Sequence, residues 1–327
     1  MSGSGRFVDF SWNLTAPPPI LCRKIVLYAF VVEADLGDLT NICESVFAAS
    51  SRRAVTCEPI DKKLILQFGD VDWIGSGLFP QGAGVSEQQV LLRVPVYYSS
   101  KAGSGNAYFT PFIGVDNPLS MAGGREVFGY PKTIGKFEAI PAQTTNPLNL
   151  SFRTWRGDDL DRKWDIGDQI VIRQGAPSPA SDFIEEFLDQ LDASTGSRQL
   201  FTNWLAGSAT EIFLKQFRAI DSTFVDGRAC FQQIATAKYS ASPLSTTGIG
   251  YSFDVEMADF DSGQVVTKSG LKRNMNAVPH KTKTYHTTSP TALRIEIQEF
   301  TLTYQEILWP RKRWCFWPRG RSRKGVA

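Results

Sequence analysis

The feature that most constrains the fold is a series of short runs rich in β-branched and aromatic residues, most of them bounded by turn residues. Helical periodicity is rarer: one stripe runs from Leu36 to Phe47 behind Asp35, and another runs from Phe183 to Leu191 behind Ser181 or Asp182. Many short strands with few helices predict a mainly antiparallel α+β fold. The β runs are 25–32, 63–68, 90–98, 107–115, 148–155, 169–172 and 294–302.

Composition indicates a soluble enzyme and excludes several other classes of protein. The 327 residues are 42% hydrophobic, enough for a large core, and the net charge of +2 gives no global reason to expect nucleic acid. Only His280 and His286 are histidines, which argues against a histidine triad or metal cluster. The five cysteines contain no CxxC pair, and no run is long and apolar enough for a signal or membrane helix. These features predict reduced thiols, a cytoplasmic location and no membrane span.

One lysine stands out for its setting. Lys132 follows a proline and an aromatic residue in Gly124-Arg125-Glu126-Val127-Phe128-Gly129-Tyr130-Pro131-Lys132. The segment just before it, Asp116-Asn117-Pro118, predicts a turn that opens a short helix and delivers the lysine to a pocket. A lysine amine attacks a carbonyl carbon only when it is uncharged, and burial or a neighbouring positive charge favours that form.

This segment, together with Tyr108-Phe109-Thr110-Pro111-Phe112-Ile113-Gly114, resembles the acetoacetate decarboxylase family. In that family a Gly-Arg-Glu run leads through an aromatic-Pro pair to a lysine that forms a Schiff base, and Lys132 falls on that lysine. The resemblance covers about residues 20–270 and is strongest between Tyr108 and Lys132. It implies a closed, cone-like β barrel with a few flanking helices and the lysine inside.

The sequence departs from the family pattern at two positions. Thr133 replaces a second lysine, so apolar surroundings have to keep the amine of Lys132 uncharged without a cationic neighbour. Gln89 replaces a glutamate six residues before Pro95, and an amide cannot exchange a proton as a carboxylate does. Glu87 points to the same side of the strand as Gln89, since strand side chains alternate. It is either a substitute for the missing carboxylate or a solvated strand end.

The resemblance and the local sequence together suggest further pocket residues. Arg23, near the start of the first strand, is the nearest match to a family arginine. Arg125 is either a buried strut or a substrate contact, and we favour the strut; Glu126 is expected to have a partner of its own. The candidates for the apolar wall and substrate contacts near the lysine are Phe109, Phe112, Met121, Phe128 and Tyr130.

The resemblance implies a cofactor-independent lyase without a metal, in which Lys132 forms an imine with a small keto acid. Glu87 and Gln89 are the candidates for handling protons and water. Decarboxylation of a β-keto acid such as an acetoacetate-like substrate is the leading expectation. A Schiff-base aldolase-dehydratase acting on an α-keto acid and an aldehyde is the first alternative, and a non-catalytic barrel that binds an apolar small molecule is the second. Family members generally form homo-oligomers.

Two parts of the chain are distinguished by the resemblance. Residues 1–271 are expected to form the acetoacetate decarboxylase-like domain, and residues 272–327 a C-terminal extension. In the extension, residues 274–290 read as a loop and 292–308 as an edge hairpin. From Pro310 onward there are seven basic residues, no acidic ones and three interleaved aromatics. Such a tail is either a solvated end, which we favour, or a contact for nucleic acid or an anionic surface.

Overall fold

The computed structural model of the chain describes residues 18–156, 165–218, 229–242, 244–258 and 284–311. Within these ranges the backbone forms fourteen strands, four short α-helices and two π-helical turns. The strands are β1 (Ile20–Glu33), β2 (Val55–Pro59), β3 (Lys63–Ser76), β4 (Val85–Ser100), β5 (Ser104–Val115), β6 (Lys132–Phe137), β7 (Asn149–Arg156), β8 (Asp165–Pro177), β9 (Ser208–Arg218), β10 (Ala229–Ala241), β11 (Leu244–Ile249), β12 (Tyr251–Ala258), β13 (Thr284–Ser289) and β14 (Ala292–Arg311). The helices are α1 (Leu36–Cys43), α2 (Pro118–Gly123), α3 (Phe183–Asp189) and α4 (Ser197–Leu205), and π-helical turns at Glu44–Ala49 and Gly124–Phe128 continue α1 and α2.

Seven of the strands form a closed ring. Hydrogen-bonded neighbours follow the order β5-β9-β10-β14-β1-β3-β4, and pairing of β4 with β5 returns the path to its start. A branch leaves β5 through β6, β7, β8, β12 and β13. Among the described pairs only β5–β6 and β5–β9 are parallel. The predicted mainly antiparallel α+β fold is therefore confirmed.

The two faces of the ring strands have different surroundings. The inward face is buried on every strand, as at Leu27 on β1 and Ala237 on β10. The outward face is exposed where nothing covers it, as at the cross-strand neighbours Lys238 and Thr303. Elsewhere the branch covers the outward face: the ring of Phe253 on β12, for example, packs against an aromatic ring of β1. A side chain on the inward face is thus enclosed by the ring itself.

The helix starts follow from capping residues. The carboxylate of Asp35 accepts from a backbone N–H of α1, Asp182 does the same for α3, and Asn117 does so for α2, which confirms the three predicted starts. The start of α4 has no such signal, because its N-cap is Gly196 at φ 85° with no side-chain bond. Trp204 of α4 packs in one buried cluster with the inward-facing residues of the ring strands, such as Leu27 and Ala237.

The C-terminal part differs from the prediction. Residues 292–311 form one long strand, β14, that lies between β10 and β1 in the ring, so the predicted edge hairpin is wrong. Residues 284–289 are a strand instead of a loop, because they pair with β12. The rest of the predicted loop, 274–283, and the basic tail from residue 312 lie outside the described residues.

Candidate active site

The position of Lys132 is set by the turn that precedes it. The π-helical turn ends at Gly129, which has φ 78°, and a Cβ there would lie 2.4 Å from Cα of Lys215 on β9. Only glycine fits both the left-handed backbone and this contact. The backbone N–H of Lys132 then donates to the carbonyl of Tyr130 at 2.7 Å, and Lys132 pairs with Ile113 as the first residue of β6.

The amine of Lys132 is held by two side chains. Its Nζ lies 2.7 Å from Oγ of Ser120 and 3.2 and 3.3 Å from the two carboxylate oxygens of Glu87. The side chains of Lys132 and Glu87 are only 10% and 2% exposed. The methylenes of the lysine run along Gly124, where a Cβ would meet Cδ at 2.7 Å. The predicted enclosure of the amine therefore includes a charged partner, because Glu87 lies inside with it.

The alternation of β4 explains this pairing. Glu87, Gln89 and Arg93 share the inward face, so Glu87 is not a solvated strand end. The Cγ and amide nitrogen of Gln89 lie 3.2 and 3.3 Å from where a Cβ would stand at Gly69, which places Gln89 inside the ring as well. Of these two, it is the carboxylate that contacts the amine.

Cys22 on β1 is a close neighbour of this pair. Burial raises the pKa of the Cys22 thiol, and the Glu87 carboxylate raises it further, against a smaller opposing effect of Lys132. A thiol held protonated in this way is a poor nucleophile. Between these two neighbours, the Cys22 thiol is therefore the weaker candidate for a nucleophile.

Three of the predicted apolar residues lie on the elements that flank the lysine. Met121, next to Ser120 on α2, packs on a cluster formed by Leu91, Ile113 and Val115. Tyr130 packs on the same cluster, and its ring lies 5.8 Å from that of Phe128. These contacts form an apolar cluster that includes Ile113, the strand partner of Lys132.

Other predicted residues are placed elsewhere. Phe109 and Phe112 pack in the apolar cluster outside the ring, which also contains Phe152 of β7. A register shift between β4 and β5 puts these two residues, three positions apart, on the same face. Arg23 is also outside, where it pairs with Glu299, donates to the carbonyl of Pro80 and lies over the ring of Trp73.

Arg125 and Glu126 are exposed on the π-helical turn. The preferred interpretation of Arg125 as a buried strut is wrong. Burial lowers the pKa of Lys215 on β9, and the Glu126 carboxylate opposes this by favouring the charged amine.

A buried polar chain below the lysine was missed by the sequence analysis. Tyr130 donates its hydroxyl to Glu211, whose other carboxylate oxygen accepts from Arg93. Nε of Arg93 donates to the side-chain oxygen of Gln67 at 2.8 Å. Burial raises the pKa of Tyr130 far above its ordinary value and Glu211 adds to this; for Arg93, burial lowers the pKa but Glu211 outweighs it, so the net shift is upward. Arg93 and Glu211 therefore remain a charged pair, and Tyr130 remains a neutral donor.

Comparison with known proteins finds a similar fold and a match to one family model. A crystal structure of acetoacetate decarboxylase from Legionella pneumophila subsp. pneumophila str. Philadelphia 1 is similar in fold, with a TM-score of 0.51 at 15% identity over 95% of this chain and 93% of that one. Residues 58–158, which include Glu87, Ser120 and Lys132, match the family model of acetoacetate decarboxylase. The segment that holds Lys132 is therefore similar to the acetoacetate decarboxylase family, and the fold of the chain is similar to that of the Legionella enzyme.

Two further solved structures are similar to this chain. One is an acetoacetate decarboxylase-like enzyme from Sphingomonas wittichii RW1, with 12% identity, a TM-score of 0.49 and coverage of 94% of this chain and 100% of that one. The other is the enduracididine biosynthesis enzyme MppR with the condensation product of pyruvate and imidazole 4-carboxaldehyde, with 11% identity, a TM-score of 0.48 and coverage of 94% and 98%. No curated protein sequence matches the chain.

In the part of the chain that the structure describes, no helix has the length and apolar character required to cross a membrane. The same residues hold no cluster of three His, Cys, Asp or Glu side chains suited to a metal ion.

Proposed function

We infer that this chain is a cofactor-independent lyase that forms an imine between Lys132 and a small keto acid and decarboxylates a β-keto acid. The observation that carries the proposal is the enclosed contact of the Lys132 amine with Glu87 and Ser120. A carboxylate in contact with a buried amine accepts its proton and returns it to a leaving hydroxyl. The position of the lysine also matches the family's Schiff-base lysine.

The reaction proceeds in balanced steps. Glu87 takes a proton from the ammonium of Lys132, and the free amine attacks the ketone carbon to give a carbinolamine, with the second amine proton passing to the former carbonyl oxygen. Glu87 returns its proton to the hydroxyl, water leaves and a protonated imine remains. The bond to the carboxylate then breaks, CO2 departs and the electron pair moves into the imine to give an enamine. Protonation at carbon, through Glu87 or a water held by Gln89, and hydrolysis release the ketone and the amine.

Ser120 gains a role that the sequence analysis did not assign. Its hydroxyl lies 2.7 Å from Nζ of Lys132 and the residue is 7% exposed. With Glu87 on the other side, this contact fixes the direction in which the amine points. Such positioning keeps the attacking nitrogen in line with the ketone carbon.

One specific observation favours a second reaction from the same imine. Gln89 faces the ring interior at the position where the family has a glutamate, and its amide can hold a carbonyl oxygen without exchanging a proton. An aldehyde held there would be attacked by the enamine of an α-keto acid, and loss of water would give an aldol-dehydration product. Glu87 serves as the proton carrier in either reaction.

The two reactions are separated by their products. CO2 release from acetoacetate, above the spontaneous rate, supports decarboxylation; enone formation from pyruvate and an aldehyde supports the aldolase-dehydratase. Lys132→Ala should abolish either activity. The matched control is Lys136→Ala, which removes an exposed lysine from the same strand, β6, and should leave activity unchanged. If neither product forms, or if Lys132→Ala is as active as wild type, the proposal fails.

A further inference from the structure

Three buried polar groups inside the ring have no hydrogen-bond partner among the described residues. They are Nε2 of Gln67, Nε1 of Trp204 and the hydroxyl of Tyr239. The three residues are 1%, 1% and 2% exposed. Gln67 lies on β3, Trp204 on α4 and Tyr239 on β10, so three separate elements bring these groups to the interior.

The side chains of these three residues lie side by side next to the guanidinium of Arg93. Gln67 accepts from Nε of Arg93 at 2.8 Å, and the guanidinium carbon lies 5.6 Å from the centre of the Trp204 ring. The Tyr239 ring stacks on Trp204, with 5.3 Å between ring centres and 16° between planes. We call Gln67, Trp204 and Tyr239 the donor cluster.

None of the three donor groups reaches an acceptor among the described residues. The carboxylate oxygens of Glu211 are engaged elsewhere, one by Arg93 and the other by the hydroxyl of Tyr130. The side-chain oxygen of Gln67 is also occupied, by Arg93. Buried N–H and O–H groups in folded proteins are nearly always paired, so an excess of donors at one place indicates an acceptor supplied from outside the chain.

The donor cluster is continuous with the site of Lys132. Tyr130 spans the gap, since its carbonyl accepts from the backbone of Lys132 while its hydroxyl reaches Glu211. Cys22 packs in the same buried cluster as Trp204 and Tyr239, and Tyr130 packs against that cluster. The donor cluster and the amine of Lys132 thus belong to one interior region, and a sufficiently long molecule joined to Lys132 would extend toward the donor cluster.

Charge limits what the donor cluster can accept. Arg93 is paired with Glu211, and Lys132 with Glu87, so both buried cations already have a carboxylate. A further carboxylate at the donor cluster would be a buried charge without a counter-ion, which is strongly unfavourable. An uncharged oxygen accepts hydrogen bonds from the cluster without that penalty.

We propose that the donor cluster is a subsite for the far end of the substrate, and that this end carries an uncharged oxygen acceptor, a hydroxyl or carbonyl group, where a simple keto acid has a methyl. This proposal rests on the proposed imine chemistry at Lys132 for the identity of the other end. The substrate is then a keto acid with a second oxygen function, longer than acetoacetate. A site built to hydrogen-bond such a group rejects the analogue that lacks it.

Binding to Lys132→Ala tests the subsite without the imine. The probes are ketones of increasing chain length, each as a methyl-terminated, a hydroxyl-terminated and a carboxylate-terminated form, titrated by calorimetry. At one chain length the hydroxyl-terminated ketone should bind at least about tenfold more tightly than the methyl-terminated one. Adding Tyr239→Phe or Gln67→Met should remove most of this preference. Tyr98→Phe deletes a hydroxyl from the apolar cluster outside the ring and should leave the preference for the hydroxyl-terminated ketone intact.

Three outcomes would overturn the subsite. They are equal binding of the hydroxyl and methyl forms at every length, tightest binding of the carboxylate form, and a preference that survives both Tyr239→Phe and Gln67→Met. Tyr239→Phe removes only an unpaired hydroxyl and keeps the ring that stacks on Trp204, so it is the variant that should fold normally. Failure of the imine would instead be seen in the wild-type chain, as absence of any adduct at Lys132 with all keto acids, while the binding preference of Lys132→Ala would still be measured.

Discussion

Two adjacent glycines allow a direct test of how Lys132 is held. Gly123 and Gly124 both have right-handed helical backbone angles, φ −60° and −62°, which alanine adopts without strain. A Cβ at Gly123 meets nothing within 4 Å, whereas one at Gly124 would lie 2.7 Å from Cδ and 2.8 Å from Cε of Lys132. The pair therefore separates the general effect of a glycine-to-alanine change from an effect on the lysine.

The magnitudes follow from these distances. Carbon atoms in contact normally lie about 3.5–4.0 Å apart, so Gly124→Ala must move the lysine methylenes by about 1 Å. The side chain is flexible enough to move, but its Nζ then leaves the contacts with Ser120 and Glu87. A displacement of about 1 Å at a reacting group can lower the rate by about 10²-fold. Both substitutions should raise the free energy of unfolding by about 0.4–1 kcal/mol, because they reduce the conformational entropy of the unfolded chain. In Gly124→Ala the close contact with Lys132 offsets this gain.

The assay is the rate at which a keto acid and borohydride add mass to the protein, with urea unfolding measured in parallel. We expect Gly123→Ala to be trapped at the wild-type rate and Gly124→Ala to be trapped about 10- to 100-fold more slowly. The free energy of unfolding of Gly124→Ala should stay within about 1 kcal/mol of the wild-type value. If Gly124→Ala is trapped as fast as Gly123→Ala, the close contact with Gly124 does not position the lysine and the reasoning is refuted.

Three further predictions concern other parts of the site. Glu87→Gln keeps the shape of the side chain but cannot carry a proton, so the rate of trapping should fall about 10²- to 10⁴-fold, and an unchanged rate would exclude Glu87 as the proton carrier. Glu211→Ala leaves Arg93 buried without its carboxylate and should lower the free energy of unfolding in urea by about 3–5 kcal/mol, whereas the double replacement Arg93→Met with Glu211→Leu should lose much less; equal losses would contradict this. Gly129→Ala forces a side chain into left-handed backbone against β9, so it should lower both stability and trapping, and a fully active, stable variant would show that this turn does not set the lysine.

Local sequence signals were sufficient for much of the fold. Asp35, Asn117 and Asp182 accept from the first backbone N–H groups of their helices, as their positions before apolar stripes predict. The β runs likewise fall inside strands, because β-branched and aromatic residues pack well on a pleated surface. Pairing between distant strands is different: the place of β14 between β10 and β1 depends on long-range register, which no local pattern in residues 292–311 contains.

The site was predictable where alternation alone decides the direction of a side chain. Glu87 shares a face with Gln89, and that argument correctly allowed it to reach the lysine. Phe109 and Phe112 were proposed from their closeness in sequence and not from alternation; the register shift opposite Leu92 and Val94 puts both on one face, and no residue type in the segment predicts that shift. Arg93 carried a usable signal, since a charge within an apolar strand requires a buried partner, but its partner on β9 is 118 positions away in sequence.

The central claim is that the amine of Lys132 is the group that bonds to the substrate. Borohydride trapping with a keto acid, followed by peptide mass mapping, tests it most directly. The account predicts one added mass on the peptide that contains Lys132, in the wild-type chain and in Lys136→Ala, and none in Lys132→Ala. An unmodified Lys132, or mass spread equally over exposed lysines, would contradict it.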